Sequence, residues 1–461
     1  MKELQNRLRS ELYNQELFET AHTLGMEYIE NIESQDVYPS QENLNLLDHF
    51  DHELNSKGLA ANKILNFLQK NGSPNTIAQI GGRYFGFVNG SAIPAALAVK
   101  SLSVIWDQCG GLYVSSPINA KLETVCEKWL IDLFGLPTNS KAGFVSGTSM
   151  ANLSAITAAR YHILQKQGWD VNECGLNGAP PIRIIAHKQT HASVKKTLTI
   201  LGLGLQNIEW MEADDQGRAD INTLPELDDT CIVILQAGNV NSGAFDDFEY
   251  ICNKARASGS WVHIDGAFGL WARTSSALKH LTKGIEKADS WAVDGHKTLN
   301  TPYDNGIVIC RHEKSFVSSL HANGEYLVFS DKRDPILYGP EMSKRSRAIE
   351  LWATMMSLGK KGIDDLVHGL HNSANQFAQG LSDLGFEICN DVVFNQVLAY
   401  YKDNETTESI LYSVQNSGRT WMAGSKWNDK SVIRISVCSW MTSENDIKEV
   451  LSLFENAIKS H

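Results

Sequence analysis

Apolar residues recur every three to four positions through LQNRLRSELYNQELFETAHTLGMEYIENI (residues 4–32) and again through LNLLDHFDHELNSKGLAANKILNFLQK (44–70). Both stretches are predicted to be helical, the second ending at Asn71-Gly72. Such thin helices cannot bury their own apolar stripes. Residues 1–80 are therefore expected to form an arm that packs against the rest of the chain or a second subunit. SSPINAKLETVCEKWLIDLFGLP (115–137) reads as a well-bounded helix, with Ser116 as cap, Pro117 in the first position, and Gly135 and Pro137 ending it.

After this helix the pattern changes. Six short apolar runs, AGFVS, RIIAH, CIVILQ, WVHID, SWAVD and NGIVIC, alternate with helical patterns. The runs are continuous rather than alternating, as in strands covered on both faces. This rhythm predicts an α/β domain with a mostly parallel sheet over residues 81–340. From about Tyr338 the pattern gives two long helices, the strands NQVLAYY and VIRISVC, and a last helix from Ser443. Residues 341–461 are expected to form a smaller α+β domain.

In open α/β sheets ligands gather beyond the carboxyl ends of the strands, and polar residues follow one run after another at that end. Gly147-Thr148-Ser149 follow the first run, Thr190-His191 the second, Asp265 closes WVHID, and His296-Lys297 follow SWAVD. A carboxylate ending a buried strand is costly unless paired. The small Gly266, Ala267 and Gly269 beside it leave room for a flat ring. A glycine-hydroxyl cup opening a helix, a buried aspartate, a histidine and a later lysine form the parts of a pyridoxal 5'-phosphate site. GTSMA also surrounds the serine of subtilisin-like proteases. Those enzymes need an aspartate and then a histidine upstream, and the only histidines before Ser149 are His22, His49 and His52 in the helical arm.

Composition narrows the class. The 461 residues are 43% hydrophobic, with a net charge of −12, which argues against a nucleic-acid or anionic-membrane surface. No apolar run approaches 18 residues, and no secretory leader is legible. Eight scattered cysteines without a C-x-x-C pair predict reduced thiols in a cytoplasmic protein and no metal site.

With these residues in view, the sequence resembles the group II pyridoxal-phosphate-dependent decarboxylases, relatives of the aromatic-amino-acid and glutamate decarboxylases, over about residues 45–460. The segments SSPINAKLETVCEKWLIDLFGLP, FVSGTSMANLSAITAAR, THASVKK, LQAGNVNSGAFDD, WVHIDGAFGLWA and ADSWAVDGHKTLN follow in the family's order. The resemblance implies a fold-type I enzyme with a seven-stranded sheet, a homodimer built with the N-terminal arm, and release of an amine from an L-amino acid.

By position, the resemblance makes Lys297 the Schiff-base lysine, Asp265 the partner of the ring nitrogen and His191 the stacking base. Ala267 lies under the ring, His296 contacts the phosphate, and Gly147, Thr148 and Ser149 cradle it. Asn239 stands where relatives carry a threonine that touches the cofactor. Phe87 and Asn89 fall in the segment lining the substrate side, and Arg434 where glutamate decarboxylases place an arginine for the substrate carboxylate. Residues 322–345 depart from the family's loop with its catalytic tyrosine, and Tyr326 and Tyr338 are the phenols available there. The nearest rival activity is Cα–Cβ cleavage of a β-hydroxy amino acid with the same cofactor. A more distant rival is a non-catalytic binding protein of this fold.

Overall fold

The computed structural model describes residues 1–321, 324 and 327–460. Seven strands form the main sheet: β1 (Lys141–Val145), β2 (Arg183–His187), β3 (Ile208–Met211), β4 (Cys231–Gln236), β5 (Trp261–Asp265), β6 (Ser290–Asp294) and β7 (Gly306–Cys310). Their order is β1-β7-β6-β5-β4-β2-β3, with β7 antiparallel to both neighbours and the other adjacent pairs parallel. The expected seven-stranded, mostly parallel sheet is present. Alternate residues along each strand enter different cores. Phe144, Val233, Ile264 and Val293 pack on one face, and Val145, Ile234, Trp261 and Ala292 on the other. That two-sided burial is why the runs are apolar at every position. The helix Thr148–Lys166 covers the second face with Ala151, Ala155, Ala158 and Ala159, whose small side chains let it lie close to the strands.

The single antiparallel strand places the chemistry. Gly306, at the start of β7, pairs with Val145 on one side and Asp294 on the other. The ends of β1 and β6 therefore meet there, and the loops after them come together. A Cβ on Gly306 would lie 2.3 Å from the Gly147 Cα, so only glycine permits this approach.

A second, antiparallel sheet has the order β10-β11-β9-β8, built from β8 (Glu387–Ile388), β9 (Gln396–Tyr400), β10 (Ala423–Trp427) and β11 (Lys430–Ser436). Helices Ala348–Asp383, Asn404–Asn416 and Glu444–Lys459 pack on it. The first of these is interrupted at Gly359, whose φ of +60° is non-helical, so it consists of two helices, as read from the sequence. The last begins with a capping box at Ser443 and Asp446.

One expectation is corrected at the N-terminal end. Residues 4–32 are helical as expected, in two helices, Lys2–Leu12 and Gln15–Glu30. Residues 44–70 are not one helix. A short turn of helix ends at Phe50, and a regular helix resumes only at Ala61–Asn71. The intervening Leu54 is 98% exposed, so the apolar spacing there has nothing to pack against.

Candidate active site

The carboxyl ends of β1, β2, β4, β5 and β6 open into one cavity of about 660 Å³. Its lining includes Phe87, Gly147, Thr148, Ser149, His191, Asp265, Ala267, His296, Lys297 and Arg434. Residues from distant parts of the chain thus share one space, because five strands end at one edge.

At one end stands the N-terminus of the helix Thr148–Lys166. Gly147 supplies no side-chain cap; in the first turn the Thr148 N–H donates to Asp294 and those of Met150 and Ala151 to the Gly147 carbonyl, which leaves the Ser149 N–H for a ligand. The Thr148 hydroxyl is buried and has no hydrogen-bond partner among the described residues. A Cβ on Gly147 would meet the His296 ring at 3.3 Å, so the cup depends on a bare backbone there. His296 is held from the far side: its Nδ1 accepts from the Asn305 N–H at 3.0 Å, and Tyr303 stacks on its ring at 4.1 Å. Burial lowers the His296 pKa.

Lys297 stands three residues beyond the end of β6, and its Nζ lies 3.1 Å from Asp294 Oδ2. Asp294 is 2% exposed; its other oxygen accepts the Thr148 N–H at 2.7 Å, and His296 Nε2 lies 3.6 Å away. At the opposite end, Asp265 is 4% exposed. It accepts from Asn152 Nδ2 at 3.2 Å and from the Ala267 N–H at 3.3 Å.

His191 caps the helix Ala192–Ile200, its Nδ1 accepting the Ser193 N–H at 3.2 Å. Burial, the largest influence, lowers its pKa, with Lys297 and Arg434 acting in the same direction and Asp265 against it. Arg434 is buried; it donates to the Val240 carbonyl, while its Nε has no partner. Phe87 is 57% exposed at the cavity mouth and stacks on Trp421 at 5.2 Å. A Cβ on the neighbouring Gly86 would strike the Trp421 ring at 2.3 Å.

Three residues singled out in the sequence stand elsewhere. Asn239 spends its side chain on its own loop, accepting from the Asn241 and Ser242 N–H groups and donating to the Gly217 carbonyl. Asn89 bonds Gln79 and Tyr303 beside the cavity rather than lining it. Tyr338 lies under the Arg333 guanidinium, its hydroxyl on Glu313. Tyr326 falls outside the described residues. Asn152 and Asp294 were missed by sequence reasoning. For Asp294 the signal was available, since SWAVD ends in a carboxylate just as WVHID does.

These residues fit pyridoxal phosphate. The unpartnered Thr148 hydroxyl and the helix N-terminus suit a phosphate, Asp265 suits a protonated ring nitrogen, and Lys297 suits an aldehyde. Asp294 is the exception, because it already occupies one phosphate donor with a like charge. Asp294→Asn is expected to strengthen binding of pyridoxal phosphate by about tenfold relative to pyridoxal, which lacks the phosphate. Titration of the variant with both compounds checks this, and an unchanged ratio would show that the carboxylate does not oppose the phosphate.

Comparison with known proteins gives a consistent picture. A family model described as the pyridoxal-dependent decarboxylase conserved domain matches residues 60–402. Tyrosine decarboxylase 2 of Narcissus pseudonarcissus is 25% identical over 411 residues, covering 81% of this chain and 79% of that protein. The aromatic-L-amino-acid decarboxylase of Bacillus atrophaeus is 24% identical over 452 residues, covering 92% and 91%. The solved structure of Oryza sativa TDC with PLP and tryptamine has the same fold. Its TM-score is 0.89 at 21% identity, over 99% of this chain and 98% of that one.

Proposed function

This chain belongs to the pyridoxal-dependent decarboxylase family and is an amino-acid decarboxylase; from that premise we propose that its cavity holds the cofactor on Lys297 and takes aromatic L-amino acids. The observation that carries the reading is the meeting of Lys297, Asp265 and an open helix N-terminus in one cavity. The names of the relatives support the aromatic class, as does Phe87 stacked on Trp421 at the mouth.

Bound pyridoxal phosphate supplies an aldehyde for the substrate amine and a protonated ring that takes up the electron pair left when carbon dioxide departs. The chain's residues do the rest. Lys297 would hold the cofactor, and Asp294, 3.1 Å from its Nζ, would pair with the ammonium when the lysine is free. Asp265 keeps a proton on the ring nitrogen. Thr148, Ser149 and His296 hold the phosphate, His191 covers the ring, and Ala267 leaves space beneath it. Arg434 draws the substrate carboxylate into the cavity. The freed Lys297 is the group placed to return a proton to Cα.

The test is a screen of aromatic L-amino acids with purified protein, following carbon dioxide and amine together. Equimolar release is expected. Glycine and an aldehyde from a β-hydroxy amino acid, without carbon dioxide, would mean Cα–Cβ cleavage instead. Because burial lowers the His191 pKa, its neutral form is the working one at pH 7. Activity should fall as pH drops through that lowered value, and His191→Gln should remove this acid limb from the pH profile.

The cavity is proposed to be complete in a homodimer. The helix Lys2–Leu12 buries no residue, and Leu4, Leu8, Leu12 and Phe18 are exposed, as are Val104 and Ile105 of the helix Pro94–Trp106. Covering these would need an obligate interface, commonly more than about 2,000 Å². Removal of residues 1–70 is expected to cost cofactor binding and solubility, read by gel filtration and absorbance. A truncated chain that remains monomeric and fully active would reject the dimer. A cytoplasmic location is proposed from the eight unpaired cysteines. Among the described residues no helix is long and apolar enough to cross a membrane.

A further inference from the structure

We propose that Asn152 is a positioning residue whose amide, fixed in one orientation by a one-way chain of hydrogen bonds from Trp261, ties the Asp265 carboxylate to the imidazole of His191. The inference rests on the reading of Asp265 as partner of the cofactor's ring nitrogen.

An indole nitrogen only donates, and Trp261 Nε1 donates to Ser290 Oγ at 2.9 Å. The Ser290 hydroxyl keeps its proton and lies 2.9 Å from His263 Nδ1, to which it can donate. The proton of the His263 ring is left on Nε2, which donates to Asn152 Oδ1 at 2.9 Å. A carbonyl oxygen cannot donate, so the other tautomer would require the Asn152 amide turned, with Oδ1 towards Asp265. Trp261, Ser290, His263 and Asn152 are all buried, so no water competes for these groups. Burial also keeps His263 neutral, its pKa lowered to about 3.

With Oδ1 committed to His263, the Asn152 NH₂ faces Asp265 Oδ2 at 3.2 Å and Ser193 Oγ at 3.4 Å. The reverse orientation would set two oxygens against each other at a buried carboxylate. Ser193 Oγ lies 2.8 Å from His191 Nδ1, the same nitrogen that accepts the Ser193 backbone N–H. Neutral His191 thus carries its proton on Nε2. One amide holds Asp265 as an acceptor and, through Ser193, fixes the tautomer of the histidine over the ring.

The test compares binding of pyridoxal phosphate with its 1-deaza analogue, in which carbon replaces the ring nitrogen, by absorbance and fluorescence titration. Asn152→Leu keeps the side-chain volume and removes the amide. The variant is expected to weaken pyridoxal phosphate at least about tenfold while changing the analogue far less, since only the former presents a nitrogen to Asp265. Equal weakening of both would make Asn152 a packing residue and overturn the proposal, as would no change in either. If the variant does not fold, Ser290→Ala, one step beyond His263 in the chain of bonds, should give the same selective loss, and an equal or absent loss there overturns the proposal too. A wild-type protein that binds both compounds equally would instead remove the reading of Asp265, and this inference with it.

Discussion

Cofactor-saturated Asp265→Asn protein is expected to lose about three orders of magnitude in turnover, far more than it loses in cofactor affinity. The carboxylate ends a fully buried strand and is itself 4% exposed, so its charge is kept only against a partner. A neutral amide there cannot hold a proton on the ring nitrogen, and the ring then accepts the released electron pair poorly. The Asn152 NH₂ and the Ala267 N–H, which now donate to the carboxylate, would also face an amide that competes for orientation. Near-normal turnover of the saturated variant would reduce Asp265 to a structural end of β5.

Lys297→Ala is expected to abolish the visible absorbance of the bound cofactor and to lower turnover by about four orders of magnitude or more. The lysine is the attachment point, and it is also the group placed to return a proton to Cα. The fold should survive, because Lys297 lies in the loop after β6 and its side chain is partly exposed and paired with Asp294. A small primary amine added to the variant should restore part of the activity by taking over the proton transfer. Retained colour and turnover without the amine would place the attachment on another residue.

The fold was legible where burial is two-sided. Six strands of the main sheet announced themselves as unbroken apolar runs. The seventh, β3, escaped because it lies at the sheet edge and carries the partly exposed Glu209 and Trp210 in a four-residue IEWM. The same logic overextended the helix at residues 44–70, since spacing alone does not create a surface to pack on.

Residues that immediately follow strand ends could be read as facing one edge, and they line one cavity. Asn152 and His263 could not be read that way. One sits inside a helix and the other inside a strand, where polar side chains look like tolerated core, and only the contact between the two elements gives them partners. Asn239 and Asn89 are placed differently. Each occupies a promising position in a motif, but the local turn or a neighbouring side chain consumes its hydrogen bonds.

Borohydride reduction of the protein with pyridoxal phosphate, followed by peptide mass spectrometry, tests the central claim most directly. Three lysines line the cavity, Lys188, Lys195 and Lys297, so the position of the adduct is informative. One adduct per chain on the peptide carrying Lys297 is the predicted result. An adduct on Lys188 or Lys195, or none at all, would contradict the account.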